Sequence, residues 1–298
     1  MRIIVLGSAA GGGFPQWNSL CPVGSRAWAQ DPAAGWRTQC SLAVSADGER
    51  WVLLNASPDL RQQILATSAL HPRRAPRHSP ISAVVLTSGD VDHVAGLLSL
   101  RESQTFAVYG TEAILTTLAA NPIFNVLSPA YVRRERLELE REVSVAGLTI
   151  LPFAVPGKVA LYLEEGELAI GAETEDTIGL AVADGRQRFF FIPGCAQLTQ
   201  GLARRLRGAP LLFFDGTLWA DDEMIQSATG VKTGTRMGHM SVAGPTGSIM
   251  ALAEIGIARR IYLHINNTNP ILLEDSPERA AVVAAGWEVA HDGMEITL

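Results

Sequence analysis

Short, continuous apolar runs recur along this chain and restrict its fold more than any other feature. Examples are residues 81–87, 188–192 and 260–265. A strand that is apolar at nearly every position has to be covered on both of its faces. Segments with helix-start signals lie between such runs, as where Ser57 and Pro58 precede LRQQILAT. Because strands and helices are mixed along the chain, we expect an α/β protein built in layers.

The composition favours a well-buried globular protein and argues against nucleic-acid binding and against a membrane-spanning segment. The 298 residues are 47% hydrophobic and 18% charged, and the net charge is -6. This length suits one large domain or two modest ones, and we expect a single domain over residues 1–298. The negative charge argues against nucleic acid as a partner. No stretch approaches the roughly 18 apolar residues of a membrane span.

The cysteines indicate a reducing compartment. Cys21, Cys40 and Cys195 are an odd number without close spacing, which does not suit a disulfide framework. We therefore expect a cytoplasmic protein whose cysteines are free.

The segment VVLTSGDVDHVAGLLSL, residues 84–100, carries the clearest chemical signal. An apolar strand leads into a polar loop with Asp90, Asp92 and His93, and an apolar helix follows. Loops at strand ends are where α/β folds place ligands. Oxygen and nitrogen donors of this kind suit iron, manganese or zinc. Acids at this position could instead cap the helix, but two carboxylates beside an imidazole favour a metal site.

The same segment resembles the metallo-β-lactamase superfamily, whose signature is His-x-His-x-Asp-His. Asp92 and His93 match the last two positions, whereas Ser88 and Asp90 stand at the two earlier histidine positions. Three later blocks resemble further landmarks of the superfamily. They are FFDGT with Asp215, GHMS with His239 and IYLHINNTNP with His264. The resemblance implies a four-layer αββα sandwich.

Loss of the two early histidines implies one metal site in place of two, formed by Asp92, His93 and His264. Two histidines and a carboxylate are the ligand set of non-haem Fe(II) oxygenases, although zinc and manganese accept the same donors. Asp90 stands where a ligand normally lies and could bind directly. Asp215 is a further ligand or a supporting group. His264 read alone could be a core histidine, but Asn266 and other asparagines follow it and indicate a polar pocket edge.

Blocks spread from residue 7 to residue 273 resemble a narrower family, the pyrroloquinoline quinone (PQQ) biosynthesis protein B proteins. They include GSAAGGGFPQWN, LLNASPDLRQQI, LTSGDVDHVAGLLSLRE, LLFFDGT and LHINNTNPIL. The resemblance implies an iron-dependent oxygenase that uses O₂ to hydroxylate the tyrosine ring of a precursor derived from glutamate and tyrosine. Two alternatives stay open. One is a carrier of PQQ or its precursor toward the periplasm, and the other is a metallohydrolase.

An acidic precursor, or PQQ itself, needs positively charged or polar groups in the pocket. Lys158, Arg236 and Asn266 are the candidates for contact with this ligand, with ordinary surface charge as the alternative for the first two. His239 and Asp215 are the candidate catalytic residues, although His239 could equally be a loop residue. Other proteins of PQQ biosynthesis are expected as partners, and a homodimer stays open.

One loop departs from the family pattern. Relatives commonly carry Cys-x-Cys-x-x-Cys after the WN of GGGxPQWN, where they hold a structural zinc ion. Here the stretch reads SLCPVG and only Cys21 is present. One thiolate cannot form a four-ligand zinc site, so we expect no structural zinc at this loop.

Overall fold

The strands of the computed structural model, which describes residues 1–166 and 169–298, form two sheets. The first sheet contains β1 (Arg2–Gly7), β2 (Ser41–Ser45), β3 (Trp51–Leu54), β4 (Ile81–Val85), β5 (Phe106–Gly110), β6 (Val132–Arg136) and β14 (Glu295–Thr297). The second contains β7 (Val143–Val145), β8 (Leu148–Gly157), β9 (Ala172–Ala183), β10 (Arg188–Ile192), β11 (Leu212–Asp215), β12 (Arg260–Leu263) and β13 (Trp287–Val289).

Each sheet is mixed, and its parallel part leads to the site described below. The strand orders are β14-β1-β2-β3-β4-β5-β6 and β13-β12-β11-β10-β9-β8-β7. Strands β3 to β6 run parallel to one another, as do β10 to β13. The carboxyl ends of parallel strands meet at one edge of a sheet, where connecting loops can bring side chains together.

Helices cover the outer face of each sheet. The α-helices are α1 (Pro22–Trp28), α2 (Leu60–Ala66), α3 (Val91–Val94), α4 (Glu112–Ala120), α5 (Gln200–Leu206), α6 (Glu223–Gln226), α7 (Gly234–Met237), α8 (Ser248–Ala251) and α9 (Pro277–Ala284). Short 3-10 helices occupy Ser68–Leu70, Ala95–Leu100, Pro122–Val126, Leu161–Leu163 and Pro270–Leu272. The Thr111 hydroxyl caps α4 by accepting a hydrogen bond from the Ile114 amide.

Three buried apolar clusters separate four layers. Val85 and Phe191 belong to the cluster between the two sheets. Ile114 of α4 packs in the cluster on the outer face of the first sheet. Val282 of α9 and Tyr262 of β12 belong to the cluster on the outer face of the second sheet. Helix, sheet, sheet and helix layers follow in this order, which is the expected αββα sandwich.

The strand pattern predicted several elements well and others poorly. Strand 188–192 has the predicted bounds, whereas β2, with the short segment SLAVS, was not predicted. The apolar spacing of residues 245–256 also predicts a helix, but only α8 (Ser248–Ala251) forms there, with Gly247 at its N-cap. The expected helix after His93 is α3 followed by a 3-10 helix.

The three cysteines are buried and free, as expected. Over residues 1–166 and 169–298, every helix is too short or too polar to cross a bilayer.

Candidate metal centre

The segment after β4, which carries Asp92 and His93 on the short helix α3, is held by the end of the neighbouring strand β3. Asn55, at a left-handed φ of 63°, accepts a hydrogen bond from the Thr87 amide at 2.9 Å and donates one to the Thr87 hydroxyl at 2.9 Å. The Ala56 amide donates to the His93 carbonyl at 2.7 Å. These contacts hold the loop after β4 in one place, so that its side chains have defined positions.

His264 directly follows β12 and has a left-handed φ of 55°, which is costly for a residue other than glycine. The loop after β11 supports it. The Thr217 hydroxyl lies 2.9 Å from the His264 carbonyl oxygen and 2.8 Å from its Nδ1 atom. The Asn266 amide donates to the Thr217 carbonyl at 3.0 Å. Two loops of the second sheet therefore fix this imidazole.

The structure brings Asp92, His93 and His264 together. The Asp92 Oδ2 atom lies 3.0 Å from His264 Nε2 and 3.9 Å from His93 Nε2. One donor atom from each residue lies within 4.8 Å of the other two. Both imidazoles are buried. Asp92 and His93 come from the first sheet and His264 comes from the second, so the group lies where the two sheets meet.

The hydrogen bonds around His93 fit a metal ligand. The Ser88 hydroxyl donates to Asp90 Oδ2 at 2.9 Å and therefore accepts from His93 Nδ1 at 2.7 Å. This leaves an unprotonated Nε2 atom, which is buried and has no hydrogen-bond partner among the described residues. A buried polar atom without a partner is costly. A cation with bonds of about 2.0–2.2 Å would satisfy it together with Asp92 and His264.

The charges around the group favour a cation. Burial lowers the pKa of His93, which keeps the imidazole neutral as ligation requires. Burial acts to raise the pKa of Asp92, but the interactions with the nearby imidazoles of His93 and His264, including the hydrogen bond with His264, outweigh burial and lower this pKa. The pKa of His264 is raised despite its burial, because of Asp92 and Asp215. The carboxylates therefore stabilise positive charge at this point, on a proton or on a metal ion.

Asp215 and His239 form a second group that shares His264. The buried Asp215 carboxylate lies 2.6 Å from His239 Nδ1. It also accepts hydrogen bonds from the amides of Cys195 and Thr217 at 2.9 and 3.0 Å. Burial acts to raise the pKa of Asp215, but the charge of His239 outweighs it, so that this pKa is lowered. An ionised, fully bonded carboxylate of this kind orients an imidazole.

A cavity of about 380 Å³ is lined by Asp92 and by the three histidines of the two groups. Asp90 lines it but, among the described residues, is in neither group. Its carboxylate accepts from the Ser88 hydroxyl and, at 3.3 Å, from the Leu161 amide. Asn266, Lys158 and Glu164 also line the cavity. Arg236 is joined to this lining through an ion pair with Glu164.

Sequence reasoning missed four residues of this site. Thr217 contacts both histidines of the second group. Its only sequence signal was a weak one, its position directly after the FFDG block. Ser88 was noted as a missing histidine and not as a partner of His93. Glu164 and Lys232 lie in segments without any recognisable motif, so no pattern pointed to them.

Cys21 has a structural role in the fold. It caps the N-terminus of α1, where its sulfur accepts a hydrogen bond from the Gly24 amide at 3.3 Å. The Asn267 side chain donates to the same sulfur at 3.2 Å. The thiol therefore ties the N-terminal loop to the segment that follows His264. That this loop holds no zinc remains a prediction.

Comparison with known proteins places the chain among its relatives. The model of the beta-lactamase superfamily domain matches residues 50–265. Coenzyme PQQ synthesis protein B of Xanthomonas oryzae pv. oryzae is 58% identical, and that of Methylobacterium sp. is 57% identical, each over the full length of both chains. This chain belongs to the coenzyme PQQ synthesis protein B family. The expected superfamily and fold are thus confirmed.

Solved structures agree with this assignment. The crystal structure of Zn(2+)-bound PqqB from Methylobacterium extorquens is 55% identical, covers all of both chains and superimposes with a TM-score of 0.98. A diphosphatase from the PhnP family, at 21% identity and a TM-score of 0.72, covers 99% of this chain and 97% of its own, and shares the fold.

Proposed function

We propose that this chain acts in PQQ synthesis as a metal-dependent hydroxylase. Its substrate would be an acidic precursor derived from glutamate and tyrosine, with O₂ as co-substrate. The convergence of Asp92, His93 and His264 carries the proposal, because their donor atoms suit one divalent cation and the buried His93 Nε2 has no hydrogen-bond partner within residues 1–166 and 169–298. The names of the relatives, all coenzyme PQQ synthesis protein B, supply the pathway.

The ligand set favours Fe(II), although zinc and manganese fit the same donors. Iron held by Asp92, His93 and His264 would supply one-electron chemistry with O₂, and three protein ligands would leave coordination positions open. The Ser88 hydroxyl keeps His93 in the tautomer that presents Nε2 to the cation. Thr217 does the same for His264, since it lies 2.8 Å from Nδ1 and leaves Nε2 toward Asp92.

His239 is the group that we expect to move a proton. Its Nδ1 atom is held by Asp215, so that Nε2 is the nitrogen left for a ligand in the cavity. A phenol hydroxyl placed there could give its proton to Nε2, and the Asp215 carboxylate would stabilise the resulting imidazolium. Because Asp215 is fully buried, it orients this histidine rather than contacting the substrate.

Oxygen uptake by metal-ligand variants tests the proposal. The wild type, Asp92→Asn, His264→Ala and the exposed control His291→Ala would each be loaded with iron without air. Each is then mixed with a glutamate–tyrosine precursor, O₂ and ascorbate. Ascorbate supplies the two electrons that reduce the second oxygen atom to water when the first enters the ring. We expect the wild type and control to consume O₂ and yield a product heavier by one oxygen atom, and both ligand variants to lose at least about a hundredfold in rate.

Three outcomes would contradict the proposal. Full activity in both ligand variants would refute the ligand assignment. Cleavage of the precursor without O₂ uptake would indicate a metallohydrolase. Tight binding of PQQ without any turnover would indicate a carrier.

A further inference from the structure

Three positively charged side chains surround one carboxylate at the wall of the cavity. Glu164 lies 3.0 Å from Lys158 Nζ, 3.1 Å from Lys232 Nζ and 3.1 Å from Arg236 Nη2. The Glu164 side chain is only 12% exposed. Burial opposes its charge, but hydrogen bonds from these three residues outweigh burial and lower the pKa of Glu164 to about 2. The carboxylate is therefore ionised throughout the physiological range.

Both lysines of the chain belong to this cluster. Lysine and arginine together number 24, yet the sequence contains lysine only at positions 158 and 232. A lysine ammonium is a compact charge on a flexible stem, whereas the guanidinium of arginine binds a carboxylate in a fixed planar arrangement. Two lysines beside Arg236 can thus follow a carboxylate that changes position.

The cluster holds more positive charge than its carboxylate neutralises. Three cations face Glu164, and Arg236 Nη1 is buried without a hydrogen-bond partner among residues 1–166 and 169–298. Lys158 and Lys232 also line the cavity. Since buried donors are normally paired, the cluster has capacity for further carboxylate oxygens from a ligand in the cavity.

Glu164 sits on a short segment, residues 158–166, that crosses the cavity wall between β8 and β9. Tyr162 donates to the Gly89 carbonyl at 2.7 Å, and the Leu161 amide donates to Asp90. The 3-10 helix Leu161–Leu163 contains no buried residue, and Leu161 is 61% exposed. The segment is therefore held by polar contacts more than by apolar packing, and segments of this kind open locally at low cost.

We propose that Lys158, Lys232 and Arg236 form a binding site for the carboxylates of a polycarboxylate ligand, and that Glu164 is an internal competitor that such a ligand displaces. When the ligand displaces Glu164, the three cations lose one protein carboxylate and gain two or more ligand carboxylates. It also releases segment 158–166 from the wall. This inference extends the proposed function by assigning the residue that competes with an acidic substrate, but it requires no oxygenase chemistry.

Binding of tricarballylate, a tricarboxylate without aromatic groups, tests the competition. Calorimetric titration of the full-length, metal-loaded protein would compare the wild type with Glu164→Gln, Lys232→Gln and the exposed neighbouring control Glu165→Gln. We expect Glu164→Gln to bind about tenfold more tightly and Lys232→Gln about tenfold more weakly. The control should remain within about twofold of the wild type, and the uncharged trimethyl ester should not bind.

Hydrogen exchange separates displacement from simple binding. Saturating tricarballylate should speed backbone exchange in residues 158–166 of the wild type, because the ligand releases the segment. In Glu164→Gln the exchange of this segment should already be fast. Equal or weaker binding by a folded Glu164→Gln variant, or unchanged exchange in the wild type, would overturn the proposal. Neither readout depends on oxygen uptake, so failure of the proposed hydroxylase activity would be seen separately.

Discussion

At the scale of single residues, the Thr217 hydroxyl connects both groups of the metal centre. It lies 2.6 Å from Asp215 Oδ1, 3.1 Å from His239 Nδ1 and 2.8 Å from His264 Nδ1. A hydroxyl offers one donor and two acceptor sites. Its contacts therefore set the orientation of two imidazoles at once, although it neither binds metal nor moves protons.

Replacement of Thr217 should weaken metal binding. In Thr217→Val the isosteric methyl group cannot hold His264 Nδ1, so we expect a loss of metal affinity of about 10- to 100-fold. Thr217→Ser keeps the hydroxyl and should retain affinity within a few fold. Competition with a fluorescent chelator measures both. Equal affinities of the two variants would show that the hydroxyl does not orient the ligand.

Glu223 gives the stability of the protein a specific pH dependence. Its carboxylate accepts hydrogen bonds from the Thr268 hydroxyl at 2.5 Å and the Trp219 amide at 2.6 Å. Burial nevertheless raises its pKa from about 4.5 to about 7. Between these two values the folded protein holds a proton that the unfolded chain has lost. This residue therefore contributes a decrease in stability as pH rises from about 4.5 to 7.

Urea unfolding at pH 5 and pH 8 measures this effect. We expect Glu223→Gln to lose less stability between these pH values than the wild type, by about 1–3 kcal/mol. The exposed control Glu254→Gln should keep the wild-type profile. If the stability of Glu223→Gln changes with pH as much as that of the wild type, the buried carboxyl does not titrate between pH 5 and pH 8.

The sequence reveals the candidate metal-ligating residues better than it reveals the residues that hold them in place. Asp92 and His93 were found because they lie together at the end of an apolar strand. His264 was found because the block IYLHINNTNP resembles the segment that carries the last histidine ligand in the superfamily. Their spatial convergence was an expectation from family resemblance. Thr217 and Glu164 act through contacts across the fold, and such contacts leave no local pattern of spacing or polarity. Supporting residues of this kind can therefore be identified only from the three-dimensional structure.

At the scale of elements, Gly96 explains why the helix after His93 is short. A Cβ atom there would overlap the Ser57 carbonyl oxygen and lie 2.8 Å from that of Ala56. The Gly96 amide instead donates to the Ala56 carbonyl at 2.9 Å. The chain thus packs against the loop after β3 as a 3-10 helix, which the apolar pattern of residues 95–100 did not distinguish from an α-helix.

Gly96→Ala should therefore destabilise the protein by about 1–3 kcal/mol. The displaced helix should also move His93 and weaken metal binding. Gly35→Ala is a matched control, since a Cβ atom there would meet nothing within 4 Å, and surface changes usually stay within about 0.5 kcal/mol. Chemical denaturation measures both variants. A Gly96→Ala protein as stable as the control would contradict the close packing.

At the scale of the whole molecule, the candidate metal centre lies between the two halves of the sandwich. Asp92 and His93 follow β4 of the first sheet, and His264 follows β12 of the second. The layered α/β class followed from the mixed apolar strands and helices, and the αββα order of layers followed from the family resemblance. Neither predicted β2 or the order of strands in each sheet. Strand order depends on long-range pairing, and a run such as SLAVS is too short to show its partner.

A cation that binds only the folded state should therefore stabilise the whole protein. Zinc at about a hundred times its dissociation constant should add about 2.7 kcal/mol to the free energy of unfolding. Asp92→Asn should lose most of this gain, and the exposed control His291→Ala should keep it. Thermal unfolding with zinc and with EDTA measures the difference. Equal stabilisation of Asp92→Asn would place the bound zinc elsewhere.

The confinement of lysine to positions 158 and 232 also affects how the protein can be handled. Reagents that acylate primary amines would find their only side-chain targets on two lysines that line the cavity. Dyes, crosslinkers and sensor surfaces attached in this way would remove positive charge from the cavity or obstruct it. Coupling through an engineered surface cysteine would leave it open, and preparations attached by the two routes should differ in their capacity for anionic ligands.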